Sequence, residues 1–559
     1  LNILKHFTLR SEFGINNIYN KEFYYRSAIV EPEAIAISVL SESRNWNTNN
    51  TLSYSNSFGR HAVDVLVGMN ATRNDYFSNV IDGETFPNPA LKNPENAAIQ
   101  TATVNATQFS FLSLLSRLNY RFADKYLLGF SIRRDGSSRF GQSSRWGTFP
   151  ALSLGWIVSE ESFLSDAETL TFLKLRMSYG VTGNAEIGNF EYFGSFQSSN
   201  YVDMPGIVVE EIDNPGLGWE STRQFDIGLD FGLWNSRIEG GVDFYFKETT
   251  NLLNVIDVSS LSGVNEVTNN IGSLENKGVD FSITSRNTIG AFRWTTTATL
   301  GYNINEITSL GGREFFPPRG LGGGAVSVGH PVGARYTVPW AGIAGNDRVL
   351  TVTNPQNMEQ EEIQVRGGDE LFINQFGELT NLISPEDQVF LGNPNPKWIG
   401  GVTNTFNWKN IDLNVLFTFA MGHDLANEEQ RYQFNGFGYG WNMWSSAVNR
   451  WQNAGDDTDV QRLTWAPERP GSSRYIYDAD FIRLKNITLG YTLPSSLLKK
   501  YGLGSMRIYA QGNNLLTFTD YPGWDPEYNR DGAGNTGQGS SWLPAPQAMG
   551  VSFGLNLTF

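Results

Sequence analysis

Cysteine is absent from this 559-residue chain, and charged residues make up only 18% of it. Without thiols, a disulfide scaffold and a thiolate metal site are excluded. The chain has no uninterrupted apolar run of about 18 residues, so no transmembrane helix is predicted. The net charge of −16 argues against nucleic acid as a partner, because phosphate binding needs a basic surface.

Aromatic residues, by contrast, are abundant at 13%, and there are 58 glycines. The mean hydropathy is −0.30. The charged fraction of 18% lies below the roughly 25% of an ordinary soluble domain. A polar average with many aromatics and few charges is typical of a transmembrane β-barrel. In such a barrel one face of each strand meets lipid, and aromatic side chains mark the two membrane interfaces.

The last ten residues, Gly550 to Phe559, alternate between apolar side chains and small or polar ones. Successive side chains of a strand point to opposite faces, so this segment has one apolar face. The apolar face comprises Val551, Phe553, Leu555, Leu557 and Phe559. We predict the final strand of an outer-membrane barrel, with Phe559 as a membrane-assembly signal. The last strand of a soluble sandwich is the alternative.

Similar alternating segments recur along the chain, about sixteen in all. The connections between them also alternate in length. Long connections are predicted at 181–221, 248–276, 306–397, 422–473 and 519–548, and short ones at 234–237, 286–290, 408–410 and 494–503. Outer-membrane barrels have short periplasmic turns and long external loops. The pattern therefore predicts an all-β, antiparallel transmembrane barrel with long extracellular loops and short periplasmic turns.

The long loops are rich in aromatic residues, which suits either sugar stacking or packing of the loops on one another. Tyr439, Trp441 and Trp444 are the substrate candidates, because aromatic rings at loop tips can stack on sugars. Nothing in the sequence favours catalysis, a cofactor or a metal, because the four histidines lack ligand spacing. The SxxK match from Ser496 to Lys499 has no supporting motif. The chain is therefore predicted not to be an enzyme.

Several linked motifs follow one another along the chain. They are RRDGSSRFG (133–141), RWGTFPA (145–151), LRMSYGVTGN (175–184), NKGVD (276–280), FIRLKN (481–486), GNNLLT (512–517) and YPGWDPE (521–527). From the residues themselves, RRDGSSRFG is expected to form a polar network that holds its loop, with a charged contact to substrate or partner as the alternative. In this order and spacing the motifs resemble the SusC/RagA family of TonB-dependent outer-membrane transporters, which is of Bacteroidetes type. The resemblance covers essentially all 559 residues.

The resemblance implies that residues 1–559 are part of a larger protein. Family members have a 22-stranded barrel, preceded by a plug domain and a TonB-binding segment, and neither is apparent here. Leu1 lies in a predicted strand and no signal peptide is visible, so we expect a partial barrel.

By resemblance, the protein imports a bulky nutrient, a glycan oligosaccharide or a peptide, across the bacterial outer membrane. A SusD-like surface lipoprotein is the expected partner above the loops, and TonB is expected to bind through the missing N-terminal region. Dimers of transporter–lipoprotein pairs are compatible with this picture. A SusC-like barrel acting as a scaffold subunit of a larger outer-membrane complex is the alternative, and a passive porin is a weaker one.

Overall fold

The computed structural model describes residues 2–29, 33–164, 167–202, 204–316, 324–433, 442–464, 471–498, 500, 502–530 and 537–559. The chain divides into two compact units. The first comprises Leu1–Ser162, Leu175–Asp226 and Glu248–Ile271. The second comprises Phe163–Lys174, Ile227–Lys247 and Gly272–Phe559.

Long strands dominate both units. Within the described residues there are sixteen strands of nine residues or more, so the predicted number is confirmed. Numbered in chain order, they are β1 Phe7–Arg26, β2 Ile35–Phe58, β3 His61–Glu84, β4 Ile99–Phe122, β5 Tyr126–Ser137, β6 Trp146–Ile157, β7 Leu170–Asn184, β8 Glu220–Leu233, β9 Ile238–Thr250, β10 Ser273–Ile289, β11 Phe292–Ser309, β12 Trp398–Trp408, β13 Ile411–Met421, β14 Phe481–Thr492, β15 Ser505–Thr519 and β16 Gly550–Thr558.

Shorter elements fill the connections. The α-helices are α1 Glu428–Gln433 and α2 Ser495–Leu498, and the latter lies in the short connection predicted at 494–503. Short 3₁₀ turns span Pro94–Asn96, Val158–Glu160, Ser260–Ser262, Pro385–Asp387, Ser445–Asn449 and Ser473–Tyr475. The short strands are Asn2–Leu4, Ser195–Tyr201, Met204–Glu211, Leu253–Asp257, Glu266–Asn270, Phe315–Phe316, Gly324–Ser327, Ala334–Thr337, Trp340–Ile343, Arg348–Thr353, Gln360–Val365, Glu370–Ile373, Leu379–Thr380, Val389–Gly392, Asp424–Asn427, Ile476–Asp478 and Ser540–Ser541.

In the first unit, β1 to β6 pair antiparallel, each strand with the next along the chain. The pairing of β2 with β3 runs without a register shift from Phe58↔His61 to Ile35↔Glu84. β2, β3 and β4 are each 24 residues long. About 9–11 residues suffice for a tilted strand to cross the hydrocarbon layer, so these strands extend beyond it.

In the second unit, β10 to β16 also pair antiparallel in chain order. The turn between β12 and β13 is only two residues long, Lys409 and Asn410, and the last pairing joins β15 to β16. Long and short connections alternate here as predicted, because 310–397, 422–480 and 520–549 are long and the links between them are short.

The two faces of the final strands differ in chemistry. On β16 the apolar side chains are exposed, and Phe553 is 82% exposed. On the opposite face, Arg507 of β15 bonds the Asp412 carboxylate at 2.5 and 2.9 Å, and Asn513 accepts a hydrogen bond from Asn486 at 2.9 Å. An uncovered apolar face opposite a polar, hydrogen-bonded face is what a strand between lipid and an aqueous lumen requires.

The long connections are more ordered than their composition indicates. The sequence predicts loops at 306–397 and 422–473, yet these regions contain small sheets such as Arg348–Thr353 paired with Gln360–Val365. Strands of two to six residues give too short an alternation to stand out among Gly, Pro and Asn. In the described part of the chain, no helix is long and apolar enough to cross a membrane.

Candidate functional site: the loop assembly

The three longest connections of the second unit fold together. We call residues 310–397, 422–480 and 520–549 the loop assembly, of which the described residues are discussed. Asp424–Asn427 pairs antiparallel with Ile476–Asp478 and parallel with Ser540–Ser541, so one small sheet takes strands from two loops. The Arg335 side chain, from the remaining loop, donates to the Gln538 carbonyl at 2.7 Å.

A buried arginine joins the first two loops. Arg474 donates to the Glu370 carboxylate at 2.7 Å and to the Gln461 side chain at 2.9 Å, and it also bonds the Asp459 carbonyl. Its guanidinium lies 5.3 Å from the centre of the Trp340 ring. Burial raises the pKa of Glu370, and the charge of Arg474 opposes that rise. The Arg474 side chain is only 3% exposed, so this pair is an internal tie between the loops.

A tryptophan and two glycines form a second contact between the same loops. The Trp451 indole N–H donates to the Gly345 carbonyl at 3.1 Å, and the Trp451 ring lies against Gly367 and Gly368. At Gly368 a β-carbon would stand 2.6 Å from Arg462 Cβ and 2.7 Å from the Trp451 ring, and its φ of +84° is left-handed. Arg462 in turn bonds Asp369 at 2.8 Å. Only glycine fits this close approach.

A charge cluster at the start of β14 brings two of the sequence motifs together. Arg483, from FIRLKN, donates to the Asp525 carboxylate of YPGWDPE at 2.6 Å and lies 3.1 Å from Glu527. Lys485 donates to the Gln547 side chain at 2.7 Å, and Gln547 donates its backbone N–H to Asp525 at 3.0 Å. The Arg483 side chain is 2% exposed. The motifs thus form a structural clamp that holds the last loop to its strands.

The RRDGSSRFG motif of the first unit has a similar role. Arg133 bonds the Asp135 carboxylate at 2.6 and 2.8 Å, and Arg139 donates to the Asn189 side chain at 3.0 Å and the Ala185 carbonyl at 2.9 Å. These bonds agree with the expected polar network that holds the loop.

The predicted substrate residues are only partly placed. Trp444 is partly buried, its backbone N–H donates to the Gln433 carbonyl at 3.2 Å, and it precedes the Ser445–Asn449 turn. Tyr439 and Trp441 lie outside the described residues, so the grouping of all three stays a prediction. Phe559 is 90% exposed after the end of β16, and its role as an assembly signal likewise stays a prediction.

Sequence reasoning missed the buried charges of the loop assembly, Arg474, Glu370 and Glu429. Arg474 is followed by Tyr475 and Tyr477, and a charge next to aromatic residues inside a long loop is the signal that marks it. Among the described residues, no group of three His, Cys, Asp or Glu side chains is arranged to hold a metal ion.

Antiparallel strands with an apolar exposed face and a hydrogen-bonded polar face place this chain among outer-membrane β-barrel proteins. Residues 4–515 match the family described as TonB dependent receptor-like, beta-barrel. The chain therefore belongs to the TonB-dependent receptor β-barrel family, whose members are outer-membrane transporters and not enzymes.

Individual relatives agree with this family. TonB-dependent receptor P3 of Formosa agariphila is 34% identical over 542 residues, and the match covers 92% of this chain and 52% of that protein. TonB-dependent receptor SusC of Bacteroides thetaiotaomicron is 31% identical over 534 residues, covering 92% of this chain and 50% of SusC.

The solved structure of the RagAB peptide transporter superposes with a TM-score of 0.84 at 26% identity, and the match covers 100% of this chain and 60% of the matched one. The predicted SusC/RagA resemblance is confirmed. This chain spans about half the length of the curated relatives it matches.

Proposed function

We propose that the protein containing this chain imports a bulky nutrient across the outer membrane in a TonB-dependent manner. The observation that carries the proposal is similarity along 92% of the chain to TonB-dependent receptors, SusC among them. The proposed substrate is a glycan oligosaccharide or a peptide. A peptide is favoured by the name of the RagAB peptide transporter, and the aromatic loop residues suit a glycan.

The loop assembly is the proposed binding rim. Its internal ties, Arg474 with Glu370 and Arg483 with Asp525, exclude water from charged contacts and hold the loops in one arrangement. Preorganised loops reduce the entropy cost of binding a large ligand. Trp444 belongs to this assembly, and we propose it as a substrate contact together with Tyr439 and Trp441.

The proposed partners follow from the family. A SusD-like lipoprotein would cover the loop assembly on the outer surface, with the short turns facing the periplasm. TonB would engage a segment outside this chain and use the inner-membrane proton gradient. Dimers of transporter–lipoprotein pairs belong to the same proposal.

The experiment is gentle extraction of the native outer-membrane complex, followed by mass spectrometry of every chain and its N-terminus. We expect a longer chain with a TonB-binding segment and one SusD-like lipoprotein. A chain without that segment, held among several other outer-membrane proteins, would favour a scaffold role and contradict import.

A further inference from the structure

Helix α1 contacts the last loop of the assembly through a buried carboxyl group. Glu429, its second residue, is 1% exposed. The Ser541 hydroxyl donates to Glu429 Oε2 at 2.9 Å and lies 2.8 Å from the Tyr521 hydroxyl. Ser541 itself is fully buried, so Glu429, Ser541 and Tyr521 form one closed polar cluster between two loops.

Neighbouring residues of the helix make further contacts. Asn427 caps it, because its side-chain oxygen accepts the Gln430 backbone N–H at 3.1 Å. The Gln430 side chain accepts the Tyr477 hydroxyl at 2.5 Å. Tyr432 and Trp542 meet edge to face with ring centres 4.9 Å apart. Gln430 therefore faces the Ile476–Asp478 strand, whereas Glu429 and Tyr432 both face the last loop.

Within the described part of the chain, no cation pairs with the Glu429 carboxyl. Arg431, the basic residue of the helix, pairs with Glu428 at 3.1 Å, and among the described residues Glu429 forms no salt bridge. Burial raises the pKa of Glu429, and hydrogen bonds from the Glu429 backbone, the Ser541 hydroxyl and the Leu543 backbone oppose that rise only in part. Burying a carboxyl group in this setting costs less free energy when the group is protonated.

Among the described residues, the neighbouring titratable groups form no salt bridge with Glu429. On the helix itself they are Glu428 and Arg431. The Ile476–Asp478 strand contributes Tyr477. The last loop contributes Tyr521, whose pKa is raised by burial, and Arg530, whose guanidinium lies 5.4 Å from the centre of the Trp542 ring. Arg335, from the first loop of the assembly, faces Glu428.

The end of the helix contacts a proposed substrate residue. Its last residue, Gln433, accepts the backbone N–H of Trp444 at 3.2 Å. A shift of the helix would therefore move Trp444. We propose that Glu429, in its uncharged form, is a positioning residue that holds α1 and Trp444 against the last loop. The role of Trp444 in substrate binding rests on the proposed function, whereas the positioning itself does not.

The direction of the pH effect follows from the raised pKa of Glu429. Glu429 binds its proton more tightly in the docked loops than in the undocked loops. The contribution of Glu429 to docking is therefore present at acidic pH. It is lost as the pH rises through the raised pKa, because ionised Glu429 must then be buried without a cation or leave the cluster. Glu429→Gln keeps an uncharged side chain of nearly the same shape, so docking of the loops should no longer depend on pH.

The test measures a distance between spin labels in the full-length protein in detergent. Because these 559 residues contain no cysteine, Ser445→Cys and Ala545→Cys introduce a specific pair, once any cysteine elsewhere in the protein is replaced. Both positions are exposed. Distance distributions are recorded from about pH 4.5 to about pH 9, the range in which ordinary and buried Glu titrate.

We expect a narrow distribution at acidic pH that broadens as the pH rises. Glu429→Gln should keep it narrow throughout. Glu428→Gln removes the same charge from the preceding residue and should still broaden with pH, at a pH no higher than in the parent protein, because the charge of Glu428 raises the pKa of Glu429. If the parent distribution does not respond to pH, or if Glu429→Gln broadens equally, the proposal fails.

A second variant tests the proposal if Glu429→Gln does not fold. Ser541→Ala removes a donor that favours the ionised carboxylate, so the broadening should move to higher pH. Broadening at unchanged or lower pH would overturn the proposal. Loss of uptake with an intact pH response would instead count against the proposed function alone.

Discussion

The long strands and the loop assembly of the second unit distribute apolar and charged side chains in opposite ways between exposed and buried positions. On β16, Phe553 and its apolar neighbours are exposed, whereas Arg474, Glu429 and Arg483 in and under the loops are almost completely buried. Lipid solvates the strands, so apolar side chains face outward. The loops stand in water and are held by charges that are buried only where they are paired or neutral. The following predictions test this contrast, from the largest expected effect to the smallest.

Arg483→Met should have the largest effect, because it leaves Asp525 buried without its cation. Breaking a buried ion pair from one side costs about 3–5 kcal/mol. We expect faster proteolysis within 520–549 and a lower unfolding temperature in detergent. Arg10→Met is the control, since Arg10 and Glu12 form an exposed pair on β1. Equal effects of the two variants would contradict the assignment of Arg483 as a clamp.

Phe553→Arg should destabilise the membrane-embedded state by about 2–4 kcal/mol, the cost of a cation on the lipid face of a barrel strand. Its neighbour Ser552→Arg lies on the polar face, opposite Gln511, and should be tolerated. The measurement is unfolding in lipid vesicles together with the amount of folded protein in the outer membrane. If Ser552→Arg is the more damaging variant, the assigned faces are reversed.

Gly368→Ala should loosen the loop assembly by about 1–3 kcal/mol, because the new methyl group overpacks against Trp451 and Arg462. Gly377→Ala separates strain from packing, since its φ is +79° but nothing lies within 4 Å of the added carbon. Left-handed strain alone costs about 1–2 kcal/mol. Hydrogen exchange of residues 340–373 is the measurement. Identical exchange in both variants would show that the Trp451 contact contributes nothing.

Trp441→Ala combined with Trp444→Ala should give the smallest effect, a fall in substrate affinity of about tenfold, or about 1.4 kcal/mol. The basis is the loss of aromatic stacking. Trp234→Ala is the matched control, because Trp234 is an exposed tryptophan in the short turn 234–237. Unchanged uptake in the double variant would remove both tryptophans from the proposed site.

The strands were predictable because each long strand repeats the same alternation many times. The final strand shows this well, since Val551, Phe553, Leu555 and Leu557 all point to the exposed face as expected. The alternation of long and short connections was predictable for the same reason, because it depends only on where strands end.

The interior of the loop assembly was not predictable in this way. Glu429 and Ser541 are 112 positions apart, and no local pattern links them. The contact between Arg483 and Asp525 joins two motifs that the resemblance identified separately, but only the folded loops show that they meet. Long-range polar contacts depend on tertiary packing, and a local sequence pattern does not contain that information.

The most direct test of the account is energised uptake by cells that produce the full-length protein. Uptake of labelled glycan and peptide fractions from the growth medium is compared with and without TonB, and with the proton gradient collapsed. The account predicts that one fraction enters only when both TonB and the gradient are present. Uptake that continues without them would indicate a passive pore, and no uptake of any fraction that supports growth would contradict import.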